Sequence, residues 1–248
     1  MLSRYTAADL GVLTRDEVRR FAPGGEGDPA ADVALAWELL YRLEPELYDR
    51  LVSAERLHPG VLEWLPRHAD RIVEVGAGAG RLTLELIGRA REVVAIEPAT
   101  PLRQILTRKL RETEHGDRAR VIPGFFDALP VVSGCADLVV ACSAFTPAPG
   151  HGGEAGLAEM ERVCRPGGCV AIVWPNHLRW LAAHGYEYVC FAGPMAVEFA
   201  SHQEAVEMAG IFYPGAAAEV RRRGQRRVPY DVLGINPPRD LAFKTVEP

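Results

Sequence analysis

A glycine-rich run, Glu74-Val75-Gly76-Ala77-Gly78-Ala79-Gly80-Arg81, follows the short apolar segment Ile72 to Val75. Glycines at this spacing let a backbone pass close to a ligand, and the free N–H groups of a helix beginning beyond them favour an anion. A second apolar segment, Val93 to Ile96, ends at Glu97. A carboxylate about twenty residues beyond such a loop can accept both hydroxyls of a ribose. The glycines nevertheless miss the dinucleotide fingerprint. The third is Gly80, and Arg81 stands where G-x-G-x-x-G requires its last glycine.

Charge narrows the ligand further. A pyrophosphate beside this loop is repelled by the carboxylate of Glu74. S-adenosylmethionine instead brings an ammonium and a sulfonium, with one carboxylate for the loop amides. The methyl donor is therefore preferred over NAD.

These residues need elements to hold them. The first seventy residues read as helical. Thr14 and Glu17 have capping-box spacing, Ala22 to Gly27 form a linker, and Asp28-Pro29 suits a helix start. Val33, Ala36, Trp37, Leu40 and Tyr41 then recur on one helical face, with further helices at 45–56 and 59–65. From residue 71 the pattern alternates. Strands are expected at 72–75, 93–96, 120–122, 137–142 and 169–174, with helices at 81–91, 101–112 and 157–164. Such alternation calls for a parallel, doubly wound sheet. In the tail, short helices are expected at 175–184, 201–208 and 214–223, and strands at 188–191 and 240–246. Residues 1–70 thus read as a helical cap, and 71–248 as the ligand-binding domain with a variable insert near 176–235.

Five landmarks in this order resemble the class I S-adenosylmethionine-dependent methyltransferases, in particular the type 11 group that includes ubiquinone and menaquinone methyltransferases. They are IVEVGAGAGRLTLEL (72–86), VVAIEPATPL (93–102), GFFDALPV (124–131), ADLVVACSAF (136–145) and MERVCRPGGCVAIVWP (160–175). The resemblance covers about two fifths of the chain. It implies a seven-stranded Rossmann-like sheet whose last strand, at 240–246, runs antiparallel. It also implies that Glu74, Gly76, Ala77, Gly78 and Gly80 border the methionine half of the donor. Glu97 would hold the ribose and Pro98 would lie under the adenine. Phe126 and Asp127 would wrap the other adenine face, and Cys142, Ser143 and Phe145 would line the transferring methyl. The acid of this family commonly stands where Phe125 does here, so Asp127 is as well suited to capping a turn.

Methyl transfer to a hydroxyl or charged amine gains from a general base. Of seven histidines, His151 in a glycine-rich loop and His177 after the fifth strand are the candidates. Aromatic residues at Trp37, Tyr41, Tyr48, Trp174, Trp180, Tyr186, Tyr188 and Phe191 could wall an apolar or aromatic acceptor, although Trp37 and Tyr41 have the spacing of packing residues. Five arginines between Arg221 and Arg227 keep an RNA substrate open. An NAD-dependent oxidoreductase and a donor-binding protein without chemistry also remain open.

Composition sets the outer bounds. The 248 residues carry 28 basic against 33 acidic side chains, and 48% are hydrophobic, so a large core is expected. A net charge of −5 gives no general attraction for nucleic acid or an anionic membrane. All but Lys109 and Lys244 of the basic residues are arginine, as a GC-rich bacterial genome would give. Five cysteines without a C-x-x-C pair read as buried hydrophobes in a reducing cytoplasm rather than a metal site. No run approaches the ~18 apolar residues of a membrane span.

Overall fold

The computed structural model describes residues 4–22 and 32–247. The expected helix start at Asp28-Pro29 and most of the linker before it lie outside these. The N-terminal part holds α1 (Arg15–Phe21), α2 (Val33–Leu43), α3 (Pro45–Ala54) and α4 (Pro59–Trp64). Each start has a local cause. Thr14 and Glu17 form the expected capping box, Asp32 accepts from the amides of Ala34 and Leu35, and Pro45 and Pro59 open α3 and α4.

The sheet contains β1 (Ala69–Val75), β2 (Ala90–Ile96), β3 (Ala119–Ile122), β4 (Ala136–Cys142), β5 (Cys164–Val173), β6 (Glu187–Cys190) and β9 (Asp240–Thr245). Its order is β3-β2-β1-β4-β5-β9-β6. Strands β1 to β5 pair in parallel, and β9 runs antiparallel to both β5 and β6. This is the doubly wound, mostly parallel α/β fold expected, including its antiparallel last strand. The direction of β9 has a simple origin. The chain leaves β6 and returns to β9 at the same edge of the sheet, so β9 can only run back.

Between parallel strands lie α5 (Thr83–Leu86), α6 (Thr100–Arg111) and α7 (Gly153–Val163). The first departs from expectation: the helix expected over 81–91 is only four residues long. Gly88 interrupts it, and Ala90 is already paired with Ala69 in the sheet. The fifth strand is longer than expected and carries Pro166-Gly167-Gly168 within it, with a register shift against β4.

After β5 come α8 (Leu178–Ala183) and then, between β6 and β9, the strands β7 (Ala196–Glu198) and β8 (Arg227–Pro229) with α9 (His202–Phe212), α10 (Ala217–Arg223) and α11 (Tyr230–Leu233). Strands β7 and β8 pair in a separate small sheet. Two cores cover the faces of the main sheet, one holding Ile72, Val93 and Leu138, the other Val73, Val139 and Met160. A third core joins the two ends of the chain. Leu35, Leu39 and Leu51 of the cap pack with Phe199, Met208, Val220 and Tyr230 of the late segment. Cap and late segment form one layer, and Tyr48 and Trp174 connect it to the C-terminal edge of the sheet.

Candidate functional site

The glycine run crosses the C-terminal end of β1, next to the point where the strand order reverses between β1 and β4. Ligands of open α/β sheets bind there. Gly76, Gly78 and Gly80 all have φ in the left-handed region, at 74°, 54° and 97°. A Cβ on Gly76 would lie 2.9 Å from the Cβ of Ala144 and 3.0 Å from the ring of Phe126. The loop is therefore closed to side chains by both conformation and space.

Glu97, at the end of β2, is held by this loop. The amide of Gly78 donates to its Oε2 at 2.9 Å, and that of Ala99 donates to Oε1 at 2.7 Å. Burial pushes this carboxyl up, and the two amides oppose that shift. Arg103 donates to the carbonyls of Glu97 and Pro98, both at 2.7 Å, and holds the turn. Three more loop amides are turned inward. Gly76 and Ala77 donate to the carbonyl of Ile96, and Gly80 donates to that of Ala77. With α5 a single turn, four of the amides that the glycine pattern offered to an anion, those of Gly76, Ala77, Gly78 and Gly80, are engaged within the protein.

Glu74 is buried on β1 and accepts from the Thr83 hydroxyl at 2.5 Å. Burial pushes its pKa up to about 8, so near neutral pH it holds a proton until a cation approaches. Its selection by charge thus requires that proton to leave. Phe126 and Phe145 meet edge to face at 5.0 Å, and Phe126 reaches Gly76. Cys142 is buried at the end of β4, and the Ser143 beside it has φ 55°. The structure thus brings Glu74, Gly76, Gly78, Glu97, Phe126, Cys142 and Phe145 to one edge of the sheet. Asp127 is diverted. It sits in the turn closed by the Ala128 amide and the Phe125 carbonyl, where Arg20 pairs with it at 2.6 Å and lies over Phe125 at 4.2 Å.

Two of the cap aromatics, Tyr41 with packing spacing and Tyr48 expected as an acceptor wall, cover this edge. Tyr41 and Tyr48 meet at 4.7 Å, and the Tyr48 hydroxyl would be 3.3 Å from a Cβ on Gly78. Glu38 is buried and paired with Arg42, whose second partner is Glu17 at 2.7 Å. Burial pushes Glu38 up to about 7, opposed by Arg42 and reinforced by Glu97. His151 lies 3.9 Å from Glu38 and packs on Phe21 at 5.3 Å. Burial lowers its pKa, with Asp32 opposing, so it is neutral at pH 7. Glu38 interrupts the apolar face of α2, the one sequence signal that could have marked it.

Arg81 is the largest feature missed. Its Nη1 donates to Glu55 Oε2 at 3.0 Å, and Tyr213 donates to Glu55 Oε1 at 2.6 Å. The guanidinium lies 5.2 Å over the ring of Trp174, a residue with φ 55° at the end of β5. Tyr230 meets the same ring edge-on at 6.3 Å. Burial lowers the arginine pKa, but Cys142, Glu55 and Tyr48 outweigh it, so the group stays charged.

Two cavities lie at the edges of the sheet. The larger, about 1030 Å³, includes Trp64, Arg89, Arg118 and Arg165 at the N-terminal edge, away from the glycine run. The smaller, about 540 Å³, lies at the C-terminal edge beside Trp174 and includes His177, Trp180, Tyr188, Arg239 and Asp240. His177 thus faces a cavity that His151 does not line. Of the late arginine run, Arg222 and Arg223 pair with Glu219 and Arg226 pairs with Glu198.

Residues 72–168, which contain the glycine run, Glu97 and the ends of β1, β2 and β4, match the family model of a methyltransferase domain. This segment, about two fifths of the chain, is similar to methyltransferase domains. It agrees with the resemblance carried by the five landmarks. An uncharacterised methyltransferase of Mycobacterium tuberculosis is 31% identical over 134 residues, which is 51% of this chain and 50% of that protein. Another from Oceanobacillus iheyensis is 27% identical over 125 residues, 50% of this chain and 52% of its own. The chain spans about half the length of the relatives it matches. The chain shares its fold with a chain of the complex between the Haloferax volcanii Trm112 methyltransferase activator and a methyltransferase. There the TM-score is 0.54 and the identity 16%, over 84% of this chain and 96% of that one. Among the described residues no helix is long and apolar enough to cross a membrane, and no group of three metal-ligating side chains occurs.

Proposed function

We propose that the chain transfers a methyl group from S-adenosylmethionine to an oxygen or nitrogen of a small-molecule acceptor. The observation that carries this reading is the carboxylate of Glu97, fixed by the amides of Gly78 and Ala99 beside three left-handed glycines. Each of its oxygens accepts one of those bonds and keeps a lone pair for a ribose hydroxyl. Gly76, Ala77 and Gly80 would border the methionine half of the donor, Pro98 and Phe126 the adenine, and Cys142 and Phe145 the methyl.

The donor supplies an electrophilic methyl on a sulfonium. The chain has to align the acceptor with it and keep water out, and alignment alone is worth up to ~7–11 kcal/mol. The layer formed by cap and late segment suits the exclusion of water. The cavity of about 540 Å³ beside Trp174 suits the acceptor, because it falls within the usual ~300–1,000 Å³ of small-molecule sites and contains aromatic rings. Any base contributed by His177 would add a further ~10²–10⁴-fold. His151 suits packing under the cap better than catalysis, being held against Phe21 and Glu38. RNA is disfavoured, since three arginines of the late run are already paired with Glu219 and Glu198.

Titration calorimetry with S-adenosylmethionine, S-adenosylhomocysteine and NAD tests the reading. Binding of the first two without NAD is expected. Binding of NAD alone would overturn it.

A further inference from the structure

The larger of the two cavities, about 1030 Å³, takes no part in the methyl-transfer reading. It follows the N-terminal end of the parallel sheet, and its origin is local. Helix α4 ends at Trp64, two residues before Pro66, and α5 is a single turn that stops short of Gly88. Two short helices thus leave the start of this sheet face uncovered. Leu138 of β4, Cys169 of β5 and Phe243 of β9 form its apolar floor.

The cleft is long. It is lined from Arg118, just before β3, to Phe243 on β9, and so crosses the six neighbouring strands from β3 to β9. At ~4.8 Å per strand that is about 24 Å. The glycine run stands at the other end of β1, a strand of seven residues and therefore about 20 Å away. A ligand in this cleft is separate from the donor and its acceptor.

Charge is divided along it. Arg89, Arg91 and Arg118 lie at the β2–β3 end. Arg91 is 3.5 Å from Asp70, but both side chains are mostly exposed and the pair is weak. Arg89 donates its Nε to the carbonyl of Glu85 at 3.1 Å, and among the described residues neither Arg89 nor Arg118 forms an ion pair. The β9 end is apolar, with the rings of Trp64 and Phe243 meeting at 5.1 Å. The arginine on β5, Arg165, is neutralised by Asp137 at 2.7 Å, whose second oxygen accepts from the amides of Asp70 and Arg71.

This division selects among ligands. A nucleic acid or an acidic peptide carries anions along its whole length and needs cations to match them. Here the cations without a carboxylate partner stand at one end. A single acid group followed by an apolar chain matches both ends. Guanidinium forks take the acid, and burial of the chain against the floor and rings supplies the hydrophobic gain. We propose that this cleft binds an anionic amphiphile, with its acid group at Arg89 and Arg118 and its apolar chain toward Trp64 and Phe243.

Calorimetry on the full chain tests the site with three probes below micelle formation. Dodecanoate has the acid and the chain, butyrate has the acid with almost no chain, and dodecyltrimethylammonium has the chain with the opposite charge. One dodecanoate per chain is expected, with the other two bound about tenfold or more weakly. Arg89→Gln combined with Arg118→Gln should weaken dodecanoate by about tenfold or more, and Trp64→Ala by a similar factor. Arg239→Gln, in the cavity beside Trp174, should leave it unchanged. Thermal midpoints verify folding, and if Trp64→Ala does not fold the arginine pair decides. The site is overturned if dodecanoate does not bind, or if butyrate or the cationic amphiphile binds as well. It is also overturned if the arginine pair has no effect or if Arg239→Gln abolishes binding. Oligothymidylate or oligoglutamate binding in place of dodecanoate overturns it too.

Discussion

The amide of Gly78 donates to the carboxylate of Glu97 at 2.9 Å, across 19 residues of sequence. This bond ties the glycine loop after β1 to the end of β2 and orients the carboxylate toward the ligand edge. Glu97→Ala removes the proposed ribose acceptor and leaves the amides of Gly78 and Ala99 unpaired. We expect S-adenosylhomocysteine to bind at least tenfold more weakly by calorimetry, with a stability loss of about 1–3 kcal/mol in denaturant unfolding.

Gly78 itself is constrained twice, by a φ of 54° and by the Tyr48 hydroxyl 3.3 Å from where a Cβ would stand. Gly78→Ala is expected to lose about 1–2 kcal/mol from the left-handed backbone alone. Adding Tyr48→Phe relieves the contact but not the backbone. The double variant should therefore recover only part of the loss in urea unfolding.

Glu74 predicts a pH dependence. Its pKa is raised from an ordinary 4.5 to about 8 by burial, with Thr83, Arg81 and Glu97 as the polar and charged groups acting on it. Between those values the folded chain holds a proton that the unfolded chain has lost, so stability falls as pH rises through this window. A cationic donor next to Glu74 favours the ionised form. Affinity for S-adenosylmethionine should then rise with pH, by at most about tenfold per unit below pH 8, with proton release. Calorimetry in buffers of different ionisation enthalpy measures that proton, and Glu74→Gln should abolish its release.

The layer made by cap and late segment should be held by its apolar core more than by its ion pairs. Leu39 is fully buried there, and Leu39→Ala should cost about 2–5 kcal/mol. Arg50 joins α3 to Glu204 and Glu207 of α9 at 2.8 and 2.9 Å but is 40% exposed. Arg50→Ala should cost under about 1 kcal/mol in the same unfolding experiment.

What the chain determined by itself is what depends on neighbours along it. Alternating apolar runs and helical faces marked the parallel sheet, three glycines marked the turn after β1, and Glu97 followed at the end of the next strand. These rest on backbone conformation and short-range periodicity, which a single sequence displays. Even there, Gly88 and the pairing of Ala90 with Ala69 cut short the helix read over 81–91. The tertiary structure alone decided which side chains share the space above that loop. Tyr213 reaches Glu55 across 158 residues, and Arg81 meets Trp174 and Tyr230 only because the cap and the late segment share one core. Periodicity says that each of those helices has an apolar face, not which other face it meets. For that reason Arg81 read as a departure from a fingerprint, and only the fold showed it paired with Glu55 and lying over Trp174.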